Sequence, residues 1–96
     1  TARTTLGNIL LKQGKPYEAI KLFKDELELR PNLAVAHDGL GWSYLELNQL
    51  TQSRTAFKAA LKAQPLSYLT HRGLREVKQR IAEIKLSQNS SLLIKN

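Results

Sequence analysis

The stretch LGNILLKQGKPYEAIKLF, residues 6–23, contains the pattern that decides the fold of this chain. Apolar residues recur on both sides of a short break at intervals of three, four and seven, which is the spacing of amphipathic helices. They are Leu6, Ile9, Leu10, Ile20, Phe23 and, just beyond the stretch, Leu27. In the break, Gly14 can adopt the left-handed conformation that ends a helix, and Pro16 suits the first turn of the next one. The stretch therefore predicts a hairpin of two helices.

A second copy of this hairpin begins 34 residues further along the chain. The residues that match at this shift are Ala2 and Ala36, Leu6 and Leu40, Gly7 and Gly41, Leu11 and Leu45, Phe23 and Phe57, Lys24 and Lys58, Leu27 and Leu61, and Pro31 and Pro65. Most of them are apolar or small, as expected when each unit buries the same face. Asn48 stands in the second copy where the first has its break, and is expected to take the role of Gly14.

Two glycines one period apart predict close packing. A glycine inside a helix costs about 1 kcal/mol relative to alanine, so its recurrence at Gly7 and Gly41 indicates that a neighbouring helix approaches closely there. The expected facing groups are Phe23 and Phe57.

The spacing predicts five helices, near residues 2–13, 17–30, 33–47, 51–64 and 67–86, and no β-structure outside the tail. Pro31 and Pro65 stop the second helix of each hairpin, because proline cannot continue a helix. Asn32 and Ser67 are the expected N-caps of the helices that follow.

The pattern as a whole resembles a known family. Leu6-Gly7, Leu10, Gly14, Ala19, Phe23 and Pro31, followed by Leu40-Gly41, Tyr44, Asn48, Ser53, Phe57, Ala60 and Pro65, resemble two tetratricopeptide repeats covering about residues 1–66. The chain departs from the family pattern at Leu10 and Glu26, and at Arg3 and His37, where the motif often has Trp. The resemblance implies an all-α solenoid of antiparallel helical hairpins whose first helices line a concave groove.

After Pro65 the repeat pattern fades. One apolar stripe, typical of a capping helix, follows at Leu74, Val77, Ile81 and Ile84. We therefore divide the chain into a repeat at 1–32, a repeat at 33–66, a capping helix at 67–87 and a frayed tail at 88–96. Because nothing caps the first helix, we expect the chain to be the C-terminal end of a longer array. Its N-terminal face, Ala2, Leu6, Ile9 and Leu10 with the outer sides of Ile20 and Leu27, is then a candidate homodimer interface.

Composition argues against several classes of function. The 96 residues contain no cysteine, and no apolar run approaches the roughly 18 residues of a membrane span. His37 and His71 are one period apart, too far on stacked repeats to share a metal ion. Acidic residues alternate with basic ones as on a solvent-exposed helix, at Glu18, Asp25, Glu26 and Glu28. The sequence thus predicts no cofactor, no metal site, no membrane insertion and no enzymatic activity.

The chain is basic, with a net charge of +7 and a pI near 10.0, and residues 68–96 carry +4 of that charge. We interpret the last helix as a solvent-exposed cap, because no aromatic residues are interleaved with its cations as stacking of bases would require. Nucleic-acid binding through this helix is the alternative.

The resemblance places the functional surface in the groove. Its lining would be Thr4, Asn8, Leu11, Lys12, Val35, Asp38, Trp42, Leu45, Glu46, Leu69, Arg72 and Glu76. Trp42 is the expected centre, since the repeat motif does not require an aromatic there; alternatively it packs against an adjacent helix or under the tail. Of the five-residue clamp with which some family members hold chaperone tails, only Asn8 is present. We therefore expect a scaffold that binds a peptide or a helix of a partner protein.

Overall fold

A computed structural model of the chain describes the backbone of residues 1–95 and the side chains of residues 1–89. Five helices follow one another: α1 (Ala2–Lys12), α2 (Pro16–Leu29), α3 (Ala34–Glu46), α4 (Leu50–Ala63) and α5 (Tyr68–Lys95). Residues 1–95 contain no strand. The predicted all-α class is confirmed, and the first four predicted helices agree with the observed ones to within one residue at each end.

The helices stack as successive hairpins. Each helix packs against the next in the chain, and α3 additionally contacts α1 and α5. The helices α1, α3 and α5 therefore form one layer, with α2 and α4 packed against it. The molecule measures 55 × 27 × 20 Å, as expected of a short stack lengthened by one long helix.

Both hairpin turns have the predicted geometry. Gly14 and Asn48 have positive φ angles of 77° and 58°. The amide of Lys15 donates to the carbonyl of Leu10 at 2.9 Å, and one period later the amide of Gln49 donates to the carbonyl of Tyr44 at the same distance. These bonds satisfy carbonyls left free at the ends of α1 and α3. Asn48 therefore does replace glycine, as its tolerance of left-handed geometry allows.

One predicted N-cap is confirmed and the other is wrong. The amide of Thr70 donates to the Ser67 hydroxyl at 3.4 Å, so Ser67 caps α5. Asn32 does not cap α3; Leu33 occupies the cap position, and no side chain accepts a hydrogen bond there. Leu33 instead packs against the core. The start of α3 thus coincides with the packing of this partly buried apolar side chain.

The two histidines have the same structural role. Nε2 of His37 lies 2.8 Å from the carbonyl oxygen of Pro31, and Nε2 of His71 lies 2.6 Å from that of Pro65. Each ring therefore fastens the first turn of its helix to the turn before it.

Each phenylalanine of the repeat is packed between two glycines. A Cβ added at Gly7 would lie 2.7 Å from Cε1 of Phe23, and the ring also abuts Gly39 of the following hairpin. In the same way Phe57 lies between Gly41 and Gly73. Both rings are fully buried, each in one of two core clusters. The predicted close approach at Gly7 and Gly41 is confirmed, and Gly39 and Gly73 extend it to the boundary between repeats.

Glu26 is not solvent-exposed, contrary to expectation. It is 2% exposed and binds Arg30 at 2.7 Å and Arg3 at 3.4 Å. One period later the same buried position holds Ala60. A carboxylate can be buried here because two guanidinium groups reach it from the surface.

The last helix is longer than predicted. α5 continues to Lys95, so the predicted helix end at residue 86 is wrong and the expected frayed tail is helical to that residue. Residues 74–95 contain neither Pro nor Gly, so nothing in the sequence interrupts the helix. The assignment of residues 88–96 to a separate tail remains a prediction.

The outer face of α1 is partly apolar and uncovered by any described residue. Leu6 is 48% exposed and Ile9 is 46% exposed. Ile20, by contrast, is buried, and Leu10 and Leu27 pack against the first core cluster. The bare face is therefore narrower than predicted and consists of Ala2, Leu6 and Ile9.

Candidate functional site

An open cavity of about 250 Å³ lies between α3 and α5. It is lined by Trp42, Leu45 and Glu46 of α3 and by Arg72, Glu76 and Arg80 of α5. Leu45 and Glu46 follow Trp42 by three and four residues, and the α5 residues are four apart, so each helix contributes one face. The geometry brings together five of the predicted groove residues and adds Arg80.

Trp42 is half-buried at this cavity. Its ring meets that of Phe57 edge to face, with the centroids 5.3 Å apart and the planes at 82°. Such a pair stabilises both rings beyond the area that they bury. Trp42 thus combines the two predicted arrangements, since it packs on a neighbouring helix and also lines the cavity.

Arg80 fixes one end of the cavity. Its Nε donates to Oε1 of Glu76 at 3.1 Å, and its Nη1 donates to the carbonyl of Leu45 at 3.2 Å. The Leu45 carbonyl belongs to the last turn of α3 and also accepts a hydrogen bond from the amide of Asn48 at 2.9 Å, so Arg80 uses its second lone pair. Arg80 therefore joins the end of α3 to the middle of α5. Its position four residues after Glu76 could have included it in the predicted set.

Asp38 joins α3 to α5 near the N-termini of both helices. The Thr70 hydroxyl donates to Oδ1 of Asp38 at 2.7 Å, and Ser67 lies 2.9 Å from the same hydroxyl. Burial raises the pKa of the Asp38 carboxyl, and hydrogen bonding by Thr70, with a smaller contribution from Trp42, partly offsets that effect. Asp38 is therefore held by the fold rather than free to meet a ligand.

The remaining predicted groove residues lie outside the cavity. Val35 and Leu69 are exposed near the N-termini of α3 and α5, and Asn8 and Lys12 are exposed on α1. Leu11 packs against the first core cluster. Thr4 is 4% exposed and forms a capping box with Thr1, so it offers no contact surface.

Two other kinds of site are absent from the described part of the chain. The side chains of residues 1–89 include no group of three or more His, Asp or Glu arranged to hold a metal ion. No helix in the described part of the chain combines the length and apolar character needed to cross a bilayer.

Comparison with known sequences identifies the repeat. The sequence model described as "Tetratricopeptide repeat" matches residues 1–65, which contain both hairpins. The chain belongs to the tetratricopeptide repeat family. The predicted resemblance is confirmed, and the departures at Arg3 and Glu26 form an ion pair within this tetratricopeptide repeat domain.

A solved structure shares this fold. The NMR structure of the first tetratricopeptide repeat domain of the human RPAP3 protein superimposes with a TM-score of 0.53, covering 88% of this chain and 94% of that one. The two sequences are 18% identical, so the likeness concerns the fold of the tetratricopeptide repeat domain alone. No curated protein shows significant sequence similarity to the chain.

Proposed function

We propose that this domain binds an extended peptide or a helix of a partner protein along the surface of α1, α3 and α5, with Trp42 at its centre. Tetratricopeptide repeats are in general protein–protein interaction modules, and the chain belongs to that family. The single observation that supports this location is the cavity between α3 and α5.

The cavity offers two kinds of contact. Trp42 supplies an aromatic surface held in place by Phe57, and an immobilised aromatic loses little entropy when it binds. Glu46 and Arg72 are exposed at its edge and form none of the ion pairs made by the described side chains. An apolar partner side chain against Trp42, flanked by polar groups of the partner, fits this arrangement.

Selection of peptides from a displayed random library against the whole chain tests the proposal. Trp42 is the only tryptophan, so its fluorescence reports directly on binding and should shift to shorter wavelength with a selected peptide. Fluorescence anisotropy of the labelled peptide, which needs no tryptophan, should show that Trp42→Ala weakens its binding by about 2 kcal/mol or more, as truncation of a central aromatic typically does. Arg72→Ala, at the edge, should weaken it less.

Tyr17→Ala is the matched control, because Tyr17 is exposed on α2 and away from the cavity. Circular dichroism of each variant separates lost binding from lost folding. If selected peptides leave the Trp42 emission unchanged and bind folded Trp42→Ala and Arg72→Ala as tightly as the unaltered chain, the site lies elsewhere.

A further inference from the structure

The net charge of the chain is confined to its C-terminal half. Residues 1–49 contain six Lys or Arg and six Asp or Glu, so their net charge is zero. Residues 50–96 contain nine Lys or Arg and two Glu, which accounts for the whole charge of +7. Helices α4 and α5 therefore carry the charge of the protein.

The equivalent helices of the two repeats carry opposite charge. α2 has two Lys and four acidic residues, whereas α4 has three cations and no acidic residue. Those cations, Arg54, Lys58 and Lys62, are all exposed and recur every four residues, so they form one row along α4. Like charges at this spacing repel one another and destabilise a helix. The row therefore does not contribute to the stability of α4.

The outer face of α5 is also basic. Gly41 is the residue of α3 against which the Phe57 ring of α4 packs. Arg75 of α5 is one 34-residue period after Gly41. The face of α5 around Arg75 therefore corresponds to the face of α3 that packs against α4, and a further helix would pack there. That face carries Arg75, Lys78 and Lys85, all exposed.

The cations of α4 and α5 border one seam. Leu50 and Leu61 of α4 and Ile81 of α5 pack against the core cluster around Phe57. Four cations are three or four residues away from one of these apolar residues on the same helix, and therefore lie beside it on the helix surface. They are Arg54, Lys58, Lys78 and Lys85. Together with Arg75 they form what we call the basic face.

No carboxylate of the described residues neutralises this face. The side chains of residues 1–89 form three ion pairs, and none includes a member of the basic face. The two acidic residues of α5 are engaged within their own helix, Glu76 by Arg80 and Glu83 by Gln79. Glu76 also lines the cavity, on the α3 side of the helix. The residues that line the cavity include no member of the basic face, so the basic face is distinct from the proposed peptide groove.

We propose that the basic face binds an acidic segment of a partner protein, which lies along the α4–α5 seam with Asp or Glu side chains on both flanks. The partly buried apolar side chains of the seam favour a protein over a nucleic acid, since they offer contact to apolar groups between the carboxylates. Nucleic-acid strands are usually held by several rings interleaved with cations. On α5 the exposed Tyr68 precedes all the cations of the face, and α4 has no exposed ring.

A labelled oligoglutamate peptide is the probe, and its binding to the whole chain is measured by fluorescence anisotropy. Lys78→Glu with Lys85→Glu should weaken binding about tenfold or more, because two attractive contacts become repulsive. Lys15→Glu with Lys21→Glu is the matched control, since both lysines are exposed and the change alters the net charge equally but in the N-terminal half. It should weaken binding less than about twofold, as expected of charges outside the contact.

Two further measurements locate the contact. A charge-swapped pair, oligolysine with the Lys78→Glu and Lys85→Glu variant, should bind more tightly than oligolysine with the unaltered chain. The fluorescence of Trp42 should stay unchanged when the oligoglutamate peptide saturates, because the basic face is separate from the cavity.

Several results would overturn the proposal. Equal weakening by the two double variants would mean that net charge alone attracts the peptide. Tighter binding of oligouridine RNA or of phosphatidylserine vesicles than of oligoglutamate, abolished by the same variant, would assign the face to nucleic acid or to a membrane surface. A Trp42 shift on peptide binding would place the peptide in the groove.

Discussion

A Cβ on Gly41 would lie 2.5 Å from Cδ1 of Phe57, closer than carbon atoms approach in folded proteins. Gly41→Leu should therefore lower the free energy of unfolding by more than about 2 kcal/mol through overpacking. Lys12→Leu, on the exposed end of α1, should change it little. Urea unfolding curves of both variants measure the difference, and the opposite order would mean that the buried and open faces are wrongly assigned.

Breaking the buried ion pair should destabilise the first repeat. Arg30→Ala leaves the Glu26 carboxylate with only the longer Arg3 contact, and we expect a loss of about 1–2 kcal/mol, moderated by the solvent exposure of Arg30. Adding Glu26→Ala should recover part of that loss, because alanine occupies the equivalent buried position at Ala60.

Arg54→Ala is the control for this cycle, since Arg54 is exposed and absent from the ion pairs of residues 1–89. Chemical denaturation of the single and double variants gives the coupling energy. A double variant that loses the sum of the two single losses would show that the pair contributes no coupling.

Stability should depend on pH through Asp38. Burial raises the pKa of this carboxyl in the folded chain, so the folded state keeps its proton to higher pH than the unfolded state does. The stabilisation is complete below the unfolded pKa and is lost as pH rises through the folded pKa. Asp38→Asn removes this loss, so its stability relative to the unaltered chain should increase as pH rises above about 4, the usual pKa of an aspartate carboxyl.

Glu46→Gln removes an exposed carboxylate from the same helix and is the matched control. Thermal unfolding at a series of pH values measures both variants. An Asp38→Asn difference that falls with pH, or that follows Glu46→Gln throughout, would contradict the role assigned to burial of Asp38.

The bare face of α1 should promote self-association. Leu6 and Ile9 expose apolar surface side by side, and such surface favours a partner in water. Sedimentation should show dimers at high concentration, and Leu6→Lys with Ile9→Lys should abolish them. Leu29→Lys alters an exposed leucine at the end of α2 and is the control. A monomer at the highest attainable concentration would count against this face.

Much of the fold could be predicted because glycine and phenylalanine positions recur in register. The recurrence of Gly7 at Gly41 predicted the close approach of a neighbouring helix at both positions. Gly39 recurs at Gly73 after the same 34 residues and could have supported the same prediction. The burial of Glu26 could have been predicted from Ala60, since equivalent positions of stacked repeats share an environment.

Other features depend on tertiary contacts that spacing does not encode. Asn32 is a favourable cap by type, yet Leu33 displaces it because its side chain reaches the core. The half-burial of Trp42 depends on the orientation of Phe57 on another helix. Arg80 enters the cavity because the Leu45 carbonyl, 35 residues earlier, lies within its reach.

The two glycines around each phenylalanine have a consequence for how the domain unfolds. The Phe23 ring touches Gly7 in its own repeat and Gly39 in the next, so separating the repeats would expose the centre of the first core. A partly unfolded chain in which only the first hairpin remains folded would therefore lose part of the burial of Phe23. We therefore expect the interaction between neighbouring repeats to exceed the stability of a single repeat, the two quantities that determine how a linear repeat array unfolds. Both repeats should therefore melt together in one cooperative transition.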